Sequence, residues 1–183
     1  MSAMLDAEES LRASRMRDPD LMRTFIFAHA AVRIFFSIKT GIRPDRLVFC
    51  RTALGRPGLQ QLSGEYDFNI SYRKGCIAFG VSKNRIGVDI EVLPAGVRCA
   101  DIARRFFSPD ECRYIFMSDA DVERRFLWVW TRHEALVKYL ALGMDSVGRY
   151  EVLCDRIQVP GYRACHIHTR AMPEYVLSYA CAA

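Results

Sequence analysis

The sequence predicts an α+β fold made of helices and small antiparallel sheets. An apolar-periodic stretch at residues 21–39 has the spacing of a helix and stops at Gly41. Short alternating segments follow near residues 68–71, 76–82 and 85–92 and are joined by tight connections. Neighbouring short strands with such connections indicate an antiparallel sheet, because parallel strands need long crossovers.

The second half of the chain repeats the order of helix and then strands. Ser108 is followed by Pro109 and then by Glu111, which is the pattern of a capped helix start. A longer helix is predicted at residues 123–142, because apolar residues recur there at helical spacing and Gly143 follows. Further strands are predicted around residues 150–153, 162–168 and 175–181.

The chain divides into a polar opening segment and two halves. Residues 1–20 are charged and are predicted to form a flexible tail or a short helix. Residues 21–93 form the N-terminal half and residues 94–183 the C-terminal half, with the break at Pro94-Ala95-Gly96. At 183 residues and 51% hydrophobic content, the two halves can form one intimately packed unit with a sizeable core.

Two carboxylates stand two residues apart in the predicted strand at residues 85–92. Strand alternation sends Asp89 and Glu91 to one face and the aliphatic side chains to the other. Two such carboxylates repel each other unless a cation lies between them, and oxygen ligands favour a hard ion such as Mg²⁺. The alternative is an amphipathic strand with a solvated acidic face.

The helix at residues 123–142 carries a second charged group. Trp130, Glu134 and Lys138 recur every four residues and therefore share a face. An exposed pair of this kind would contribute about 0.3–0.5 kcal/mol. Because the helix is apolar nearly all the way round, we expect this face to be covered, and its charges then need partners such as a metal ion and a phosphate.

Five segments in the same order resemble the signature of the 4'-phosphopantetheinyl transferases, in particular the Sfp-type branch. They are Gly55-Arg56-Pro57, Phe68-Asn69-Ile70-Ser71, Gly87-Val88-Asp89-Ile90-Glu91, Phe106-Phe107-Ser108-Pro109-Asp110-Glu111 and Trp130-Thr131-Arg132-His133-Glu134-Ala135-Leu136-Val137-Lys138. The resemblance extends from about Arg23 to the C-terminus. It implies two pseudo-twofold-related halves, each a helix packed on a small, mainly antiparallel sheet, with the active site between them.

The resemblance also implies roles for individual residues. The metal ligands would be Asp89, Glu91 and Glu134, which would hold Mg²⁺ against the pyrophosphate of coenzyme A. Glu134 would be the base, directly or through water, and Lys138 would neutralise phosphate charge, so these two are the catalytic candidates. The candidates for binding coenzyme A are Arg23, Arg56, Ser71, Tyr72 and Lys138.

Other charged residues have competing interpretations. Arg23 is favoured over Arg33 as the contact to the 3'-phosphate of coenzyme A, and the alternative for both is an ordinary solvated or snorkelling helix residue. Arg56 would hold the adenosine part of coenzyme A. Without the resemblance, the sequence around Arg56 indicates only a turn. Glu111 matches a family position, but a capping role explains it, so it is not assigned to the metal.

Two positions depart from the family pattern. Tyr72 stands where the family usually has a His near the phosphates of coenzyme A; a phenol can donate a hydrogen bond but brings no positive charge. His133 stands where the family usually has Lys, which removes most of a positive charge at neutral pH. We therefore expect an active enzyme with altered contacts to coenzyme A.

The implied activity is Mg²⁺-dependent transfer of 4'-phosphopantetheine from coenzyme A to a serine of an apo acyl or peptidyl carrier protein, with release of adenosine 3',5'-bisphosphate. Two other classes stay open. One is a relative that binds coenzyme A without turnover, and the other is a Mg²⁺-dependent nuclease that uses the same acids.

Composition restricts the partners and the compartment. The net charge of +5 favours an anionic partner, while the absence of a long basic run disfavours nucleic acid. Seven cysteines without a Cys-x-x-Cys pair or a secretory signal indicate reduced thiols in the cytoplasm. We expect no membrane span, since no apolar stretch approaches about 18 residues. Two halves in one chain suggest a monomer.

Overall fold

The computed structural model describes residues 4–52, 55–62, 64–73, 75–94 and 98–183. The helices in these ranges are α1 (Ala7–Ser14), α2 (Pro19–Thr40), α3 (Cys99–Phe106), α4 (Pro109–Phe116) and α5 (Val122–Leu140). The strands are β1 (Phe49–Arg51), β2 (Pro57–Leu59), β3 (Asp67–Arg73), β4 (Cys76–Ser82), β5 (Ile86–Val92), β6 (Arg156–Ile157), β7 (Cys165–Ala171) and β8 (Tyr175–Ala182).

The strands form small antiparallel sheets, which confirms the predicted α+β class. β1 pairs with β2 and β3 pairs with β4, while the larger sheet has the order β5-β8-β7-β6. The strand predicted at residues 150–153 is wrong. That segment is irregular, and the N–H of Val152 donates to a carboxylate oxygen of Glu111 at 2.9 Å instead of to a neighbouring strand.

β5 connects the two predicted halves. It belongs to the N-terminal half in sequence, yet it pairs along its whole length with β8, from Ile86 opposite Cys181 to Val92 opposite Tyr175. The predicted boundary after residue 93 therefore does not separate two sheets. Of the break at Pro94-Ala95-Gly96, only Pro94 lies within the described residues.

Side chains of β3 attach that strand to the other edge of β5. Asp67 Oδ2 accepts a hydrogen bond from the N–H of Ile86 at 2.8 Å, and Asn69 Oδ1 accepts one from the N–H of Val88 at 2.9 Å. These carboxylate and amide groups satisfy N–H groups that face β3 and would otherwise need partners.

Helix α5 packs directly against β5 and carries the main core. Its buried side chains include Phe126, Leu136 and Leu140. The contact is closest at Gly87, where an added Cβ would lie 2.0 Å from the carbonyl oxygen of Ala135. Only glycine permits this approach, which places the acidic residues of β5 beside the charged face of α5.

Helix α2 covers the β3–β4 hairpin through an aromatic cluster. Phe36 packs against Phe68 with ring centroids 5.0 Å apart, and Phe79 lies 6.0 Å from both rings. By length and composition alone α2 could also cross a membrane, which contradicts the expectation that no stretch approaches such a span. The indication is weak, because a core helix of a soluble protein passes the same test.

The opening segment contains α1, which corresponds to the short-helix alternative for residues 1–20. Asp6 and Glu9 form a capping box at its start. Glu9 is buried and bonds back to α2: its oxygens lie 2.7 Å from Nδ1 of His29 and 2.9 Å from Nε of Arg33. These contacts attach α1 to the body of the protein.

Arg33 is neither solvated nor snorkelling, contrary to the interpretation as an ordinary helix residue. Its side chain is 1% exposed, and besides Glu9 it donates to Asp6 at 2.7 Å and to the carbonyls of Pro44 and Leu47 at 3.0 and 3.1 Å. These internal partners occupy the guanidinium, so Arg33 is a structural residue.

Gly87→Ala should destabilise the protein by about 3 kcal/mol, since the new methyl group would collide with the backbone of α5. Gly143→Ala is the matched control, because an added Cβ there meets no atom within 4 Å, and a change below about 0.5 kcal/mol is expected. Urea unfolding of both variants measures the difference. Equal stabilities would contradict the close packing of β5 on α5.

Glu9 should make stability depend on pH in the acid range. Burial alone would raise the pKa of Glu9, but hydrogen bonds from His29 and the N–H of Asp6 and the nearby charge of Arg33 lower it from 4.5 to about 2. A pKa lowered by folding stabilises the native state above about pH 4.5, and this contribution is lost as pH falls towards 2. It amounts to roughly 3 kcal/mol.

The measurement is the free energy of unfolding in urea between pH 7 and pH 2. The difference in the free energy of unfolding between the wild type and Glu9→Gln should decrease as pH falls below about 4.5. The exposed Glu8→Gln is the control and should track the wild type. Parallel curves for Glu9→Gln and the wild type would refute the assignment.

Candidate active site

Two cavities meet between the N-terminal and C-terminal parts of the chain. The carboxylate cavity, of about 350 Å³, is lined by Ser71, Arg73, Asp89, Glu91 and Glu134. The basic cavity, of about 300 Å³, is lined by Arg12, His29, Arg51 and Arg56. Tyr72 and Lys138 line both cavities. The result is one groove with an acidic end and a basic end.

Asp89 is the most buried acid of the carboxylate cavity, with 3% of its surface exposed. Its Oδ1 accepts hydrogen bonds from Nζ of Lys138 at 2.6 Å and from Oγ of Ser71 at 2.9 Å. Its Oδ2 is buried and has no hydrogen-bond partner in the described part of the chain. A buried carboxylate oxygen without a partner is costly, and a cation at this point would satisfy it.

Glu134 lies one helical turn before Lys138 on α5 and also lines this cavity. Burial raises the pKa of Glu134, the charge of Lys138 opposes that shift, and the charges of Asp89 and Glu91 reinforce it, so the pKa is above its ordinary value. Nζ of Lys138 lies 3.5 Å from Oε2 of Glu134. Glu134 is therefore a carboxylate that readily gains a proton or a metal ion.

Lys138 carries the positive charge at the junction of the two cavities. Burial lowers the pKa of Lys138, but the charges of Asp89 and Glu134 outweigh this effect and raise it above its ordinary value. The ammonium group is therefore charged at neutral pH. Lys138 and the guanidinium of Arg73 face three carboxylates, which leaves the acidic end of the groove with a surplus of negative charge.

Glu91 reaches the same cavity but is paired. Nε and Nη2 of Arg73 each donate to a carboxylate oxygen of Glu91 at 2.7 Å. In the ranges that the structure describes, no three Asp, Glu, His or Cys side chains are already grouped closely enough to hold a metal ion. The predicted ligands Asp89, Glu91 and Glu134 thus line one cavity, and their oxygens would have to draw closer around an ion.

Ser71 and Tyr72 occupy adjacent positions on β3 and have different roles. The hydroxyl of Ser71 orients Asp89. Burial raises the pKa of the Tyr72 phenol, against the opposing charges of Arg12, Arg51 and Arg73, so this group is a neutral donor at physiological pH. Both line the carboxylate cavity, and their contact with coenzyme A stays a prediction.

Arg56 lines the basic cavity, yet its guanidinium is occupied by the protein. It pairs with Asp67, and it donates to the carbonyl oxygens of Lys138 and, at 2.7 Å, Ile86. These bonds connect the turn before β2 to β3, β5 and α5. Contact with adenosine stays a prediction for Arg56, and its main structural role is to hold the groove together.

Arg23 is not brought to the groove. It pairs with Asp20 at the exposed start of α2, and its side chain is 67% exposed. The cavity that it lines is a separate one, shared with Phe27 and Ile77. Its contact with coenzyme A stays a prediction that the geometry does not favour, because none of the other candidate residues lines that cavity.

Sequence reasoning did not identify three basic residues of the groove. Arg12 lies on α1, within the segment set aside as a tail, and Arg51 ends β1. His29 is the third, and a lone imidazole within the apolar run from Phe25 to Val32 was the signal that could have identified it. The others carried no signal, since their position depends on how α1 and β1 fold over the cavity.

His133 does not lie in the groove, contrary to the concern that its replacement of Lys alters phosphate contacts. It is 1% exposed in the C-terminal core and stacks on Phe107 at 5.0 Å. Its Nε2 lies 3.0 Å from Oε1 of Glu111, without hydrogen-bond alignment. Burial would raise the pKa of Glu111, but His133 and two backbone donors lower it overall. The predicted capping of Ser108 by Glu111 is confirmed.

His133→Ala should cost about 3 kcal/mol of stability, because it removes a fully buried ring that stacks on Phe107 and leaves a cavity beside the buried Glu111 carboxylate. The exposed His168→Ala is the control and should cost less than about 1 kcal/mol. Chemical unfolding compares them. Similar values for both variants would show that the buried pair contributes little.

Comparison with known proteins identifies similar sequences. A model of the 4'-phosphopantetheinyl transferase superfamily matches residues 85–181, which is more than half of the chain. A putative 4'-phosphopantetheinyl transferase from Synechocystis is 27% identical over 84% of this chain and 63% of its own length. The 4'-phosphopantetheinyl transferase HetI from Nostoc is 27% identical over 83% and 66%, respectively.

A third relative aligns over the whole chain. The 4'-phosphopantetheinyl transferase from Bacillus subtilis is 26% identical over 100% of this chain and 84% of its own length. This chain spans less than two thirds of the length of the two cyanobacterial relatives. The matched region contains β5, α5 and hence all three carboxylates and the lysine of the groove, and on this match the chain belongs to the 4'-phosphopantetheinyl transferase superfamily.

Proposed function

We propose that this protein transfers the 4'-phosphopantetheine group of coenzyme A to a serine hydroxyl of an apo acyl or peptidyl carrier protein. The observation that carries the proposal is the groove itself. A carboxylate cavity with an unpartnered buried oxygen of Asp89 opens, past Lys138 and Tyr72, into a basic cavity. Such a groove suits a ligand with a pyrophosphate at one end and a nucleotide at the other.

The donor set of the carboxylate cavity fits Mg²⁺. Asp89 offers its free Oδ2, Glu134 is a desolvated carboxylate, and Glu91 can exchange its ion pair with Arg73 for the ion. When bound, Mg²⁺ would neutralise charge on the pyrophosphate oxygens of coenzyme A. The surplus negative charge around Lys138 is the electrostatic reason to expect a cation here.

Lys138 is placed to neutralise the departing group. The serine oxygen of the carrier attacks the pyrophosphate phosphorus that bears pantetheine, and the bond to the bridging oxygen breaks. Adenosine 3',5'-bisphosphate leaves with the electron pair of that bond, and the Lys138 ammonium stabilises its phosphate. The same ammonium is held at 2.6 Å by Asp89, so its position is fixed before the ligand arrives.

Glu134 is the base that we assign. It lies in the same cavity as Lys138, and its raised pKa makes it a better proton acceptor than an ordinary carboxylate. The proton of the serine hydroxyl moves to Glu134, directly or through water, as the new phosphorus–oxygen bond forms. The product is a phosphodiester that joins pantetheine to the carrier serine.

The basic cavity would hold the nucleotide. Arg12 and Arg51 supply positive charge, and Tyr72 supplies a neutral donor at the boundary with the carboxylate cavity. The net charge of +5 also suits an acidic carrier protein. We also propose a cytoplasmic protein, which the seven free thiols support, and a monomer, since one chain supplies all the residues of the groove.

Glu134→Gln should lower the rate of transfer at least about 100-fold, because general-base catalysis contributes roughly that factor or more. Mass spectrometry of a panel of apo carrier proteins, mixed with coenzyme A and Mg²⁺, measures the gain of one phosphopantetheine. The exposed Glu151→Gln is the matched control and should keep full activity. A wild-type protein that binds coenzyme A but modifies no carrier would identify a binding-only relative.

Asp89→Asn should abolish the stabilisation that Mg²⁺ gives to the wild type. The substitution puts either an NH2 group or an uncharged carbonyl oxygen in the place of Oδ2, the carboxylate oxygen without a partner, and both are poorer Mg²⁺ ligands. The readout is the shift of the melting temperature with increasing Mg²⁺ in the absence of coenzyme A. Asp119→Asn, at an exposed position, should respond as the wild type does. An unchanged response of Asp89→Asn would place the metal elsewhere.

A further inference from the structure

We propose that His29, held by Glu9, contacts the 3'-phosphate of coenzyme A and so supplies, from α2, the imidazole that Tyr72 does not provide on β3. The inference rests on the proposed function, because it assumes that the groove binds coenzyme A. It assigns a residue that lies outside the family motifs and more than forty positions before Tyr72.

His29 stands next to Tyr72 at the basic end of the groove. It lines the basic cavity together with Arg12, Arg51 and Tyr72, and its ring lies 6.3 Å from the Tyr72 ring. Its other side packs on Phe25, with ring centroids 4.2 Å apart. His29 and Tyr72 are thus neighbours at the same cavity.

The contact with Glu9 determines which nitrogen is available. Nδ1 of His29 lies 2.7 Å from Oε1 of Glu9. Since the lowered pKa of Glu9 keeps this carboxylate ionised, it only accepts hydrogen bonds, and Nδ1 must carry the proton. Nε2 of the neutral ring then carries a lone pair, and the hydrogen bonds of His29 within the described ranges leave this atom without a partner. To donate to a phosphate oxygen, Nε2 must take up a proton from solvent as the ligand binds, which would place an imidazolium between the Glu9 carboxylate and the phosphate.

The location favours the 3'-phosphate over the pyrophosphate. His29, Arg12 and Arg51 line the basic cavity and not the carboxylate cavity. The proposed metal ligands line the carboxylate cavity, on the other side of Lys138. With the pyrophosphate at the carboxylate end, the phosphate that remains on coenzyme A is the monoester on the ribose. Two guanidinium groups and an imidazole suit its two negative charges.

The alternative is a purely structural role, in which His29 serves only to neutralise Glu9 beside Arg33. The variant His29→Asn separates the two roles. The amide nitrogen of Asn takes the place of Nδ1 and can still donate to Glu9, while nothing takes the place of Nε2. The fold should therefore be kept, and the contact with the phosphate should be lost.

The experiment measures binding of coenzyme A and of dephospho-coenzyme A, which lacks the 3'-phosphate, by calorimetry with Mg²⁺ present. In His29→Asn the dissociation constant for coenzyme A should rise about tenfold, the loss expected for a charge-assisted hydrogen bond. The constant for dephospho-coenzyme A should change less than about twofold. Adding Tyr72→His to this variant should recover the affinity for coenzyme A.

Equal losses for both ligands, or no loss for either, would overturn the proposal. A wild type that bound neither ligand would instead refute the proposed function, and the two failures are thereby distinguished. A second measurement does not depend on any variant. The ring signals of His29, one of four histidines, should shift with adenosine 3',5'-bisphosphate but not with adenosine 5'-monophosphate; identical responses would also overturn the assignment.

Discussion

The placement of β5 determines the rest of the structure. This strand is attached on one edge to β8 by a backbone ladder and on the other to β3 through Asp67 and Asn69. Its missing side chain at Gly87 lets α5 approach to contact distance. The carboxylate of Asp89 therefore meets Ser71 from β3 and Lys138 from α5, although these three residues are far apart in sequence.

The electrostatics of the groove follow from that packing. Burial removes water from Asp89, Glu134 and Lys138 together, and a single ammonium group does not balance the acids around it. A protein that only needed stability would replace such a cluster by apolar side chains. Its presence in a desolvated cleft beside arginines supports our proposal that the groove binds a pyrophosphate.

The sequence predicted what local periodicity determines. Strand alternation put Asp89 and Glu91 on one face of a strand, and the four-residue spacing put Glu134 and Lys138 on one face of a helix. The family resemblance brought the two pairs to one site, and all four residues line the same cavity. The sequence did not show which distant group pairs with each of the other buried polar side chains. Roles were predicted from neighbouring residues or from the family pattern for Arg56, Arg33 and His133. The partners of these side chains lie in distant segments of the chain that fold onto them.

The contact between α1 and α2 makes the residues at three positions depend on one another. Glu9 lies 20 residues before His29 and 24 before Arg33, and it is buried against both. A neutral residue at position 9 would remove one of the anionic partners of the buried Arg33 guanidinium. Loss of Arg33 would in turn leave the buried Glu9 carboxylate without its arginine partner. Among close descendants of this sequence, Glu9, His29 and Arg33 should thus persist or change together, although the stretch that holds Glu9 looks at first like a dispensable tail.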